Sequence, residues 1–94
     1  MPNNKNYTCF INELKNKGGK YAIIRALERI YRSNEERREK NENDRDYPVG
    51  EHELLVAAFR IWKKEEMPAT KAISLAGQEI VALYPHEAKE KFGW

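Results

Sequence analysis

Two His-Glu pairs, His52-Glu53 and His86-Glu87, contain residue types that could support catalysis or metal binding. A zinc-protease helix carries a second histidine four residues after the first, so that both side chains lie on one face. Those positions hold Val56 after His52 and Glu90 after His86. A metal site would therefore require His52 and His86 to converge in the fold, and the sequence favours two separate surface histidines.

The other residues that could be reactive or bind phosphate are one cysteine and one glycine pair. Cys9 is followed by Phe10 and Ile11 and has no adjacent base, which is typical of a buried or half-buried cysteine. Gly18-Gly19-Lys20 lacks the upstream glycine and the following serine or threonine of a phosphate loop, so it is predicted to be a turn. No Ser-His-Asp set is recognisable. The sequence predicts a protein that is not an enzyme and has no cofactor or metal.

A group of basic residues is the best indication of a polyanion partner. Arg25, Arg29 and Arg32 are spaced by four and then three residues, which places them on one face of a helix at about 20–32. Three lysines could extend this basic surface along a phosphate backbone: Lys15, Lys17 and Lys20. The same helix continues into Glu35 and Glu36, which would repel phosphates. A solvated helix face is therefore the favoured interpretation, and nucleic-acid binding is the alternative.

The charge of the whole chain is divided unevenly along its length. Residues 1–34 hold seven basic and two acidic groups, a net +5, whereas residues 35–53 hold four basic and eight acidic groups, a net −4. Residues 54–94 carry +1, which brings the total to +2. This pattern favours complementarity within the protein or between copies over a whole domain that binds polyanions.

Length and composition predict one small helical domain over residues 1–94. The chain has 34% charged and 40% hydrophobic residues, which is ordinary for such a domain. A single cysteine excludes an intrachain disulfide and suggests a reducing compartment. No stretch reads as a signal peptide or a transmembrane helix, so we expect a cytoplasmic protein.

The residues above must be positioned by helices packed around the segment at about 51–66, EHELLVAAFRIWKKEE. Its apolar residues cover more than half of a helix surface, which predicts a central helix with several neighbours. The expected fold is an all-α bundle of four to five helices, with a frayed tail at 1–6 and a polar connection at about 41–48. A first helix has Asn6 as its candidate N-cap and ends near Lys17, where Gly18-Gly19 stop it. Pro68 begins the fourth helix, and Pro85 ends that helix and could start a short last one.

Each predicted helix has an apolar stripe that should face the core. In the second helix these residues are Ile23, Ile24, Leu27, Ile30 and Tyr31, and the helix should continue a turn or two beyond Tyr31. In the fourth helix they are Ala69, Ala72, Ile73, Ala76, Ile80, Leu83 and Tyr84.

Because the sequence contains no recognisable catalytic or metal-binding set, we expect the protein to act through contacts of its surface. We expect a small regulatory or accessory factor that binds another protein or itself, of a kind that would suit a bacterial mobile element or phage. The wide apolar face of the central helix and the terminal tryptophan predict where a partner would bind. The residues of this predicted partner surface are Arg60, Trp62, Lys63 and Trp94. No membrane partner or small-molecule substrate is predicted.

Overall fold

The computed structural model describes residues 6–39, 50–83 and 85–93. Over these residues it has no strand and five α-helices: α1 (Tyr7–Asn16), α2 (Gly19–Glu39), α3 (Glu51–Lys64), α4 (Ala69–Ala82) and α5 (Pro85–Phe92). The helices pack against one another as a small all-α bundle, which confirms the predicted fold class. Residues 1–5 of the predicted tail and the polar connection at about 41–48 lie outside the described residues.

The first helix begins and ends at the residues that its sequence predicts. The side chain of Asn6 caps the helix by accepting a hydrogen bond of 2.8 Å from the backbone N–H of Cys9. Gly18 follows the helix with a φ of 70°, a conformation that favours glycine. At Gly19 a Cβ atom would lie 2.7 Å from the Cβ of Leu14, so only glycine lets α2 begin this close to α1.

The second and third helices also follow the sequence closely. α2 is described as far as Glu39, about two turns beyond Tyr31, in agreement with the predicted continuation. α3 ends at Lys64, two residues earlier than predicted. At its start, the backbone N–H of Gly50 donates a 2.8 Å hydrogen bond to the carboxylate of Glu53, which stabilises the first turn.

Two helices share the centre of the bundle. α3 contacts each of the other four helices, in agreement with its wide apolar face, but α4 makes the two most extensive contacts, with α2 and with α3. α4 can do so because its buried side is small and apolar: Ala69, Ala72, Ile73, Ala76, Gly77 and Ile80. These residues match the predicted stripe, of which Leu83 is half-buried and Tyr84 lies outside the described residues.

The crossing of α2 and α4 is close because each helix presents a small residue. A Cβ atom added at Gly77 would lie 3.0 Å from the Cβ of Ala26. The contact centres the buried face of α2 on Ala26 and Ile30, which are 6% and 1% exposed. The prediction that Ile24 and Tyr31 face the core is wrong. Their side chains are exposed, because the α2–α4 crossing turns them outward.

A side chain of α1 completes the start of α4. Pro68, the residue before α4, has no side-chain hydrogen bond with which to cap the helix. The carboxylate of Glu13 accepts a hydrogen bond from the backbone N–H of Ala69 instead. A negative group at this end of a helix is also favoured by the helix dipole. The bond joins residues 56 positions apart and fixes α1 against α4.

Candidate binding surfaces

An apolar groove opens between α1, α2 and the start of α3. Its volume is about 630 Å³, and six aliphatic side chains from the three helices line it: Ile11, Leu14, Ile23, Ile24, Leu27 and Leu55. Leu14 is buried and Ile24 is 43% exposed, so the groove presents apolar surface to solvent. Lys15, Lys20 and Glu51 also line it. This arrangement can hold an apolar segment beside negatively charged groups.

The apolar groove is a candidate binding surface that the sequence interpretation does not contain. That interpretation places five residues of α2 in a single buried stripe: Ile23, Ile24, Leu27, Ile30 and Tyr31. Positions 23, 24, 27, 30 and 31 together span an arc of about 120° on a helix. A neighbour that packs closely at one edge of this arc leaves the other edge uncovered. The pair Ile23-Ile24 beside Leu27 was the available signal, because it widens the stripe away from Ala26.

A second groove, the arginine groove, lies on the other side of α2, against α4. Arg25, Arg29 and Arg32 line it together with Ala22, Ala26, Glu28 and Ser74, and its volume is about 600 Å³. All three arginines are exposed. The structure therefore brings together three of the six predicted polyanion contacts in one groove.

The three predicted lysine contacts are located elsewhere. Lys15 and Lys20 line the apolar groove, and Lys17 is the exposed C-cap residue that follows α1. The predicted basic surface is therefore not continuous in the fold: its arginines line one side of α2, whereas Lys15 and Lys20 line the groove on the other side. A phosphate chain in the arginine groove would not need the lysines.

A third groove, the α5 groove, lies between the end of α3, α4 and α5. Its volume is about 730 Å³, and it combines apolar residues such as Met67 and Leu75 with Arg60 and Lys91. Lys91 is engaged there by a 2.8 Å ion pair with Glu79. Arg60 is exposed and reaches the end of α5, since a Cβ at Gly93 would lie 3.1 Å from its guanidinium. Arg60, a member of the predicted partner surface, therefore lines a groove.

The other members of the predicted partner surface have different environments. Lys63 is exposed, with its ammonium nitrogen 5.8 Å from the ring centroid of Phe59. Trp62 is only 7% exposed, so the exposure on which its assignment to a partner surface depends is not found. α1 covers this face of α3, and the Trp62 ring lies with its centroid 5.4 Å from that of Phe10. Trp94 lies outside the described residues.

The residues that could support catalysis or metal binding do not form a site in the described part of the chain. Cys9 is exposed on the first turn of α1, so its predicted burial is wrong. It lies on the side of α1 opposite the core because Phe10 occupies the buried position. His52 is exposed, and the side chain of His86 is not among those described. No group of three or more potential metal ligands occurs among the described residues.

Two further findings concern membrane-spanning helices and similarity to known proteins. Among the described residues, no helix combines the length and the apolar character that crossing a membrane requires. The chain matches no protein-family model, no curated protein and no solved structure.

Proposed function

We propose that this protein acts by binding a segment of another protein in the apolar groove. The observation that carries the proposal is the convergence of six aliphatic side chains from three helices on one open groove. Ile24 stands at its edge with 43% of its surface in contact with water. Covering such apolar surface stabilises a complex by roughly 25 cal/mol for each Å² removed from water.

The groove and its charges define the chemistry of the partner. An apolar groove between helices accepts the apolar side of an amphipathic helix, whose contacts recur every three or four residues. Lys15 and Lys20 line the groove beside one acidic residue, Glu51. We therefore infer that the bound segment carries acidic residues next to its apolar ones. A surface of this size supports a modest affinity, on the order of micromolar, as in transient regulatory contacts.

Capture from the native host, followed by titration of the identified segment, tests this function. The lysate is treated with nucleases so that capture does not depend on nucleic acid. The test variant is Ile24→Gln, which removes apolar surface at the edge of the groove without opening a cavity in the core. The matched control is Leu75→Gln, at a half-exposed aliphatic residue of the α5 groove.

The expected result is a loss of roughly tenfold in affinity for Ile24→Gln, since a hot-spot residue contributes more than about 1 kcal/mol to binding. Leu75→Gln should bind as the parent does. Changing Lys15 and Lys20 to Gln should weaken binding less, and mainly at low salt. Loss of binding with Leu75→Gln alone would place the partner in the α5 groove and refute the proposal. Sedimentation of the purified parent protein tests whether the groove binds a second copy of this chain instead.

A further inference from the structure

The arginine groove has a shape and a charge distribution that the proposed protein contact does not use. It shares no lining residue with the apolar groove, and it lies on the opposite side of α2. Ala22 and Ala26 line the groove between the arginines and α4, and their small side chains leave space there. Ser74 of α4 supplies a hydroxyl group on the far wall.

The three arginines are arranged along the axis of α2. Residues 25 and 32 are seven positions apart, which is about 10 Å along a helix. Arg25, Arg29 and Arg32 all line the groove and all are exposed, so their guanidinium groups are accessible to an extended chain of negative charges. Guanidinium groups bind phosphate oxygens in a bidentate manner. The groove therefore suits two or three consecutive phosphates better than a single small anion.

An exposed aromatic ring stands at one end of the arginine row. Tyr21 is 77% exposed, the most of any large hydrophobic residue among those described. It precedes Arg25 by four residues, so the two side chains are neighbours on the same helix face. Sites for single-stranded nucleic acid combine a positively charged groove along the backbone with aromatic rings on which bases stack.

We propose that the arginine groove binds single-stranded nucleic acid, with phosphates on Arg25, Arg29 and Arg32 and a base stacked on Tyr21. Acidic residues limit the length of the site. Glu28 lines the same groove, and the exposed Glu35 and Glu36 follow Arg32, the last arginine of the groove, by one turn. A rigid duplex laid along α2 would meet these carboxylates, whereas a flexible single strand can leave the helix after Arg32.

Fluorescence anisotropy with a labelled single strand of about 12 nucleotides tests the site, since such modules cover roughly 4–16 nucleotides. Three phosphate contacts predict a slope of about −2 for the logarithm of affinity against that of salt concentration. Binding should therefore weaken about 20-fold between roughly 50 and 200 mM salt. The variant Arg25→Gln/Arg29→Gln/Arg32→Gln should bind at least about tenfold more weakly at the lower salt, with a slope near zero.

A matched control removes three exposed positive charges outside the groove, by Lys17→Gln, Lys63→Gln and Lys64→Gln. It should keep the salt slope and most of the affinity of the parent. Circular dichroism melting of each variant verifies that the helices are intact. If the control loses as much affinity as the arginine variant, binding depends only on net charge and the site does not exist.

Two single substitutions separate the proposed ligand from other polyanions. Tyr21→Ser should weaken binding of the single strand several-fold and leave binding of inorganic polyphosphate unchanged, because only bases stack. Glu28→Gln should strengthen binding of both, because it removes a repulsive charge from the groove. No binding of the single strand by the parent at low salt would overturn the proposal. So would equal affinity for a duplex of the same sequence together with no effect of Tyr21→Ser.

Discussion

The close crossing of α2 and α4 predicts an unusual response to the substitution Gly77→Ala. In a helix interior, this change normally stabilises a protein by about 1 kcal/mol, because glycine is the poorer helix former. Here the new Cβ would lie 3.0 Å from the Cβ and 3.4 Å from the Cα of Ala26. Optimal contacts between carbon atoms are about 3.5–4.0 Å. The Cβ of Ala26 is fixed to the backbone, so it cannot rotate away, and relief requires the helices to separate.

The magnitude follows from these two opposing terms. Overpacking a close contact costs about 1–3 kcal/mol, which exceeds the gain in helix propensity. We expect Gly77→Ala to lower the free energy of unfolding by about 1 kcal/mol. In a background that carries Ala26→Gly the new methyl group has room, and the same substitution should raise the free energy of unfolding by about 1 kcal/mol.

Urea denaturation of the parent, both single variants and the double variant measures this coupling. The expected interaction between the two sites is about 2 kcal/mol, well above the roughly 0.3–0.5 kcal/mol by which independent sites deviate from additivity. Ser74→Ala, on the exposed side of α4, is a control for helix propensity alone. If Gly77→Ala stabilises the protein equally in both backgrounds, the two helices are not in close contact, and the explanation for the exposed Ile24 fails.

Two further predictions concern α1. Glu13→Ala should lower the free energy of unfolding by about 1–2 kcal/mol, because the N–H of Ala69 loses its partner. Glu13→Gln should cost less since it keeps a hydrogen-bond acceptor, and equal stability of Glu13→Ala and the exposed control Glu66→Ala would contradict the contact. Cys9 should react with a thiol reagent in the folded protein at a rate within about tenfold of that in denaturant, because it is exposed. Labelling that requires prior denaturation would show that Cys9 is covered.

The sequence determined the helical fold and several of the helix ends, because those depend on neighbouring residues. Asn6 caps α1, Gly18 ends it with a left-handed conformation, and Pro85 begins α5, all as predicted. The buried face of α4 also followed from its spacing, since that helix has one continuous stripe of small apolar residues. Each of these features is decided by interactions within about one helical turn.

The tertiary structure alone decided which surfaces remain open. α2 has more apolar residues than one neighbour can cover, and the contact between Ala26 and Gly77 chose the edge that is buried. That choice exposed Ile24 and formed the apolar groove, and it placed the arginines along the opposite groove. Trp62 was covered by α1 in the same way. Spacing along one helix gives the width of an apolar face, whereas the neighbours that cover it come from parts of the chain distant in sequence.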